Sequence, residues 1–347
     1  MARQTIVTNP PGDDNSNKQR DAALRPKWLR EVIGQKKIVQ RLAIALNACK
    51  KNKETLPHIL FDGPPGLGKT TFATVLPNEM GTKVQLTSGP ALSKPADLLP
   101  FLTNLEEGSV LFIDEIHRMP RTVEEFIYPA MEDFRIDIVL GEGINARTIS
   151  MKLKRFTLIG ATTRSGMLSS PMRDRFKMHE HLDFYTLDEL ATILRINSAK
   201  LNTPITDDAA VELAKRSRGT PRIANSRLTW VRNYTTSEAD GKISLPIAQA
   251  ALDMAEVDTE GLDKQDRRYL ETLVGVFEGG PTGVEALGAT MNLPADTLSD
   301  EIEPYLLREQ FIIRTPRGRV ATPKAFVLLG KPPKEPNLDA DMPTLFE

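Results

Sequence analysis

Two short runs in this 347-residue chain carry chemistry. The first is Gly63-Pro64-Pro65-Gly66-Leu67-Gly68-Lys69-Thr70-Thr71, directly after the apolar run Ile59-Leu60-Phe61. A strand, a glycine-rich turn and a helix start make a loop that curls around a phosphate. A Cβ in that turn would block close approach, and the N–H groups at the helix N-terminus would hold the anion. On this reading Gly66, Gly68, Thr70 and Thr71 line the phosphates of ATP. Lys69 reaches the β- and γ-phosphates, and the Thr70 hydroxyl joins the shell of a Mg²⁺ ion. The second run, Ser109–Glu115, is apolar until Asp114 and Glu115 appear at its end. Ligands of parallel α/β sheets sit outside the carboxyl ends of the strands. Asp114 is therefore placed to orient Mg²⁺ through water, and Glu115 to polarise the water that attacks the γ-phosphate. Together the two runs predict ATP hydrolysis.

The elements that must position these side chains are legible from patterning. Strands near Ile59–Phe61, Lys83–Thr87, Val110–Ile113 and Thr157–Ala161 alternate with helices, which predicts an α/β fold with a parallel, doubly wound sheet. An amphipathic helix over Lys36–Lys51 precedes it. From Leu187 the strands stop, and Leu187–Leu201, Asp207–Arg216, Pro221–Tyr234 and Leu245–Met254 read as consecutive helices of a small domain. The predicted division is a disordered arm (1–21), a large ATPase domain (22–185), a small helical domain (186–257), a third domain (258–330) and a flexible tail (331–347). Cys49 is the only cysteine, which excludes intrachain disulfides and a thiolate zinc cluster. The formal net charge of −1 gives no global footprint for nucleic acid, so any DNA contact must come from local basic clusters. No apolar run reaches membrane-spanning length and no secretory leader pattern opens the chain, so a cytoplasmic protein is expected.

The third domain carries such a cluster. Val284–Met291, a turn at Asn292-Leu293 and Pro294–Arg308 read as helix, turn and helix. Phe311–Arg314, Pro316-Arg317-Gly318 and Arg319–Ala321 read as a β-hairpin, completing a winged helix. Asp296, Asp300, Glu301 and Glu303 on the second helix would repel phosphates. The DNA contact is therefore placed on the wing, at Arg314, Arg317 and Arg319. Within the ATPase core, 134–153 stands out as an insertion. Alternating apolar residues on either side of Gly141-Glu142-Gly143 read as a second hairpin with one apolar face, and Leu140 and Ile144 near its tip read as a partner site.

The chain resembles the RuvB family of AAA+ motors over roughly Leu24 to Gly330. The resemblance is carried by Leu24-Arg25-Pro26, Gly63–Thr71, Thr87-Ser88-Gly89-Pro90, Leu111–Arg118, Tyr128–Phe134, Ile159–Arg164, Ser169–Phe176, Arg218–Asn225 and Arg314–Val320. It implies that Leu24, Arg25, Tyr185 and the segment Glu132-Asp133-Phe134 flank the adenine, and that Thr163 senses the γ-phosphate. Arg175 resembles the arginine finger aimed at a neighbouring subunit's nucleotide, with Arg173 as a substitute, and Arg222 resembles the small-domain arginine on the nucleotide. The family also implies a hexameric ring driving Holliday-junction branch migration in recombination, repair and the SOS response. Its partners would be duplex and junction DNA, a RuvA-like junction-binding protein at the core hairpin and a RuvC-like resolvase. Ser226-Arg227-Leu228-Thr229-Trp230 departs from the denser basic helix usual in the family. The competing readings are a clamp-loader-like ATPase and a DNA-binding regulator switched by ATP; the arginine-bearing wing argues against the first and Glu115 against the second.

Overall fold

A computed structural model describes residues 23–140 and 147–333 of the chain. The N-terminal arm, the acidic tail, the glycine turn of the core hairpin and Ile144 lie outside the described residues. The described chain packs as two compact units.

The first unit holds a five-stranded parallel sheet in the order β2-β3-β6-β1-β7. Its strands are β1 (Ile59–Asp62), β2 (Val84–Ser88), β3 (Val110–Asp114), β6 (Thr157–Thr162) and β7 (Met178–His181). β1, β3 and β6 are continuously apolar because both faces are covered, as in doubly wound sheets. The register sets Asp62 opposite Thr162 and Ser88 opposite Asp114, so polar strand ends collect on one edge. Leu98, Leu111, Ile113, Val123, Ile127 and Phe156 fill the core beside it, each worth about 1.5–3 kcal/mol of burial. β7 has no strand signal in Met178-His179-Glu180-His181. Only Glu180 points inward, at 2% exposure, and its carboxylate is bound by Arg41 from the Lys36–Asn52 helix. The insertion is the expected hairpin, β4 (Arg135–Leu140) against β5 (Arg147–Lys152), with Ile138 opposite Ile149.

The second unit contains Gly63–Leu67, Asp183–Leu194 and the chain from Pro204 onward. Helices Asp207–Lys215, Pro221–Glu238 and Leu245–Met254 pack together, followed by Lys264–Gly275, whose Asp263 caps the N-terminus by accepting from the N–H groups of Gln265 (2.8 Å) and Asp266 (3.1 Å). The winged-helix pattern is present, with β8 (Ile312–Thr315) and β9 (Gly318–Ala321) as the wing. Its second helix differs from the unbroken Pro294–Arg308 expected. A helical turn at Ala295–Thr297 passes through a π-helical stretch, Leu298–Ile302, into Glu303–Arg308. The stretch buries Leu298 and Ile302. Among the described residues, no helix is long and apolar enough to cross a membrane.

Candidate nucleotide and DNA sites

In the first unit Lys69 opens the Lys69–Met80 helix and is only 7% exposed. Burial lowers its pKa, while Asp114, Glu115 and Asp62 pull the other way and favour the charged ammonium. At the end of β3, an Asp114 carboxylate oxygen accepts the Glu115 N–H at 3.0 Å. Glu115 itself sits in the left-handed region at φ 48°, a conformation that persists where the surroundings enforce it. Gly89 is part of that enforcement, because a Cβ there would overlap the Glu115 carbonyl. His117, with a side chain 3% exposed, stands 3.4 Å from the Glu115 carboxylate and 2.9 Å from the Thr162 hydroxyl, bridging β6 to Glu115. Thr163 follows directly, one residue past the end of β6, the strand beside β3.

In the second unit the loop Gly63–Leu67 is held by backbone. The Gly66 carbonyl accepts from the Arg222 N–H (3.4 Å) and the Leu67 carbonyl from the Tyr185 hydroxyl (3.2 Å). Gly66 has φ +79°, and a Cβ there would lie 2.7 Å from Thr220 and 2.9 Å from Arg222. Tyr185 and Arg222 thus both contact the phosphate loop, and the Arg222 side chain is exposed. Leu24 is buried, its carbonyl accepting from Lys200 at 3.1 Å, while Arg25 is exposed.

Arg175 is built into the first unit by two helices. Its guanidinium donates to the Pro171 carbonyl (2.7 Å), pairs with Glu132 (3.0 Å) and lies 4.0 Å over the Tyr128 ring. Tyr128 is fixed in turn by Glu124, which also takes the Ser169 hydroxyl at 2.7 Å. Arg175, Glu132, Phe134 and Lys177 line one cavity of about 640 Å³. The structure therefore groups Glu132 and Phe134 with Arg175, and Asp133 pairs with Arg135 (3.5 Å). Arg173 is half-buried, and its guanidinium reaches the Ser170 hydroxyl (3.3 Å).

The wing arginines are not equivalent. Glu303, expected to repel phosphate, is fully buried and faces the wing. It accepts from Arg314 Nε and from Arg319 Nε, both at 2.9 Å, and from the Tyr269 hydroxyl at 3.1 Å. Burial alone would raise its pKa, but the two arginines hold the carboxylate below its ordinary value. Arg319 is consequently inward, at 17% side-chain exposure against 47% for Arg314, and Arg317 occupies the exposed turn. Arg227, in the segment that departs from the family's denser basic helix, is also buried, and its pKa is pushed down to about 10 by burial and by Arg218. On the core hairpin Ile136 is buried at the base and Ile149 is 50% exposed further out.

Comparison with known proteins finds a family match for each of the three domains. A model of the RuvB Holliday junction DNA helicase P-loop domain matches residues 24–182, the RuvB AAA lid domain 185–258, and the RuvB C-terminal winged helix domain 259–330. The Holliday junction branch migration complex subunit RuvB of Rhodopirellula baltica is 59% identical over 306 residues, 88% of this chain and 84% of that one. The chain belongs to the RuvB family. Solved Thermotoga maritima RuvB structures superimpose with 46% identity. The Holliday junction branch migration motor gives a TM-score of 0.82, covering 90% of this chain and 100% of that one, and an alanine-to-serine variant gives 0.84, covering 90% and 99%. As a RuvB-family protein the chain is a nucleotide-binding AAA+ ATPase with lid and winged-helix domains.

Several RuvB-site features escaped the sequence. His117 sits in the motif Asp114-Glu115-Ile116-His117, but its contact is with Thr162, a residue far along the chain. Asp62 follows the Ile59–Phe61 run with no motif to mark it, and Glu303 looked like one more acidic residue on a helix. The signal for Glu303 was its neighbourhood: an acid on a helix that must pack under two arginines paired across a hairpin.

Proposed function

We propose that this chain is the ATP-driven motor subunit that moves duplex DNA to branch-migrate Holliday junctions. The carrying observation is the buried Lys69 facing Asp114 and Glu115 at the carboxyl edge of a parallel sheet, on a chain that also bears a wing of arginines. Lys69 neutralises the β,γ-phosphates, and Glu115 takes up the proton of the attacking water while Asp114 and Thr70 fix the metal's hydration shell. The donor set fits Mg²⁺: the Thr70 hydroxyl and the Asp114 carboxylate are hard oxygen donors of the kind used by an ion held largely by water and phosphate oxygens. When bound, Mg²⁺ would be held by Thr70 and, through water, by Asp114, and would offset the negative charge of the phosphates. Thr163 reads the γ-phosphate.

Arg175 acts in trans, which makes the working form a ring, read as a homohexamer. The shared cavity supports a single face, Arg175 with the Glu132–Phe134 segment, presented to a neighbour's nucleotide. Solved forms of Thermotoga maritima RuvB carry single substitutions at a lysine, an alanine, a threonine, an arginine and a proline. One constant offset in numbering places those residue types on Lys69, Ala161, Thr163, Arg175 and Pro221, which supports the assignment. Arg317, with Arg314 beside it, grips phosphates. The core hairpin receives a RuvA-like junction-binding protein; Ile149 joins Leu140 and Ile144 in that role. A RuvC-like resolvase and a cytoplasmic setting follow from the same reading, as do the domain limits near 185 and 257.

Strand separation of a synthetic four-way junction, with ATP and with or without the junction-binding partner, tests this. Partner-stimulated, ATP-dependent separation is expected. ATP hydrolysis without any separation would return the chain to the clamp-loader reading.

A further inference from the structure

The lid and the winged helix meet at buried arginines: Arg227 donates to the Gly261 carbonyl (3.1 Å), and Arg218 makes a wider set of contacts. Arg218 precedes the loop Gly219-Thr220-Pro221-Arg222, with φ 55°. Its guanidinium does not reach the nucleotide side. It points to the winged-helix domain, with a side chain 7% exposed, donating Nε to the Gly261 carbonyl (2.8 Å) and pairing with Asp263 (2.7 Å) and Asp266. Its face lies 5.2 Å from the Tyr305 ring. From the wing side Arg308 reaches back, donating to the Arg218 carbonyl (3.0 Å) and stacking 4.4 Å over Phe184 and 5.1 Å over Tyr305. Gly219 must be glycine here: its φ is +67°, and a Cβ would strike the Arg308 guanidinium and lie 3.1 Å from Phe184. Tyr305 donates its hydroxyl to the Glu260 carbonyl, and Arg267 pairs with Asp258 at 2.6 Å across the same linker.

The other end of this network is the phosphate loop. The Gly219 carbonyl accepts the Tyr185 N–H (2.9 Å), Tyr185 donates to Leu67 (3.2 Å), and Arg222 donates its N–H to Gly66 (3.4 Å). These contacts thus run from the Glu303–Arg308 helix to the phosphate loop within one compact unit. Resting on the motor reading above, we propose that Arg218 and Arg308 are positioning residues that lock lid and winged helix into one lever, so that movement at the phosphate loop is delivered undiminished to the wing. An apolar junction could bury as much surface, but it would leave the angle between the two domains undefined. Buried ion pairs with fixed hydrogen-bond geometry specify one angle, at a cost in desolvation.

Arg218→Ala would strand two carboxylates and could simply unfold the junction, so Arg308→Ala, at a partly exposed position outside the nucleotide and DNA sites, is the primary variant. In the full chain with Cys49→Ser, spin labels are placed on Ser237→Cys and Thr290→Cys, both exposed. One narrow distance distribution is expected, unchanged between nucleotide-free protein and ATP-loaded Glu115→Gln protein. Arg308→Ala should broaden it, keep basal ATP turnover, and lower junction strand separation per ATP hydrolysed by about tenfold. A distance that shifts when ATP binds the otherwise unaltered protein, or an Arg308→Ala protein with unchanged distribution and coupling, overturns the lever. The distances are read without a junction, so a protein that separates no strands at all condemns the motor reading while the distances still judge the lever.

Discussion

Glu115 and Lys69 differ in what their loss should do. Lys69→Ala removes a buried cation set among three carboxylates, so nucleotide affinity should collapse. Glu115→Gln keeps the shape and the φ 48° backbone but removes the base, so ATP should bind normally and hydrolysis fall to near background; wild-type turnover would refute the assignment. At the wing, Arg317→Ala should weaken duplex binding alike across sequences and reduce the salt slope by about one, with stability unchanged. Arg319→Ala removes one of two cations on buried Glu303 and should cost about 3 kcal/mol of stability, seen as a lower melting temperature. If both variants lost DNA affinity with no loss of stability, the Glu303 contact would have no structural weight. Lys69, Asp114 and Glu115 were legible because a local motif defines them. The roles of Glu303, His117 and Arg218 are set by partners that adjacent sequence does not reveal.

The elements followed the same rule. β1, β3 and β6 announced themselves by continuous apolar runs, and the core hairpin by alternation about glycines. β7 did not, because an edge strand carrying one buried glutamate has no apolar period to read. The π-helical stretch was equally silent, since apolar spacing alone does not distinguish five residues inserted with a wider turn. On the hairpin, Ile149→Asp should abolish binding to the junction-binding partner, measured by calorimetry, and leave basal ATPase intact; undiminished affinity would move the partner site elsewhere. The helix cap at the lid–wing junction has a pH signature. Burial pushes Asp266 up to about 7, although Arg218 opposes this, while Arg218 and backbone donors hold Asp263 low. A folded pKa above the unfolded 3.8 means stability is full below about pH 4 and lost as pH rises through about 7 for this group. Asp266→Asn should flatten that part of the stability–pH curve, followed by chemical denaturation; an unchanged curve would show that Asp266 is ionised throughout.

At the scale of the molecule, Arg175 is assigned to a nucleotide that its own chain does not hold. Arg175→Ala should leave affinity nearly intact and lower turnover by on the order of 10³-fold, as arginine fingers do. Mixing it with Glu115→Gln protein should restore part of the activity at hybrid interfaces. Rings shown to mix yet wholly inactive would argue against action between copies.

The backing of the phosphate loop carries a further consequence, for the order of events as the chain is made. Tyr185 grips Leu67 from 118 positions further on, and Arg222 completes the cradle at Gly66 later still. During synthesis at about 5–20 residues per second, the loop is exposed for many seconds before those partners emerge. A nascent chain arrested before Tyr185 should therefore lack a competent nucleotide pocket, even with every residue of its phosphate-binding motif already outside the ribosome. ATP capture thus reports that the lid has been made and folded, and an unfinished motor subunit cannot load fuel.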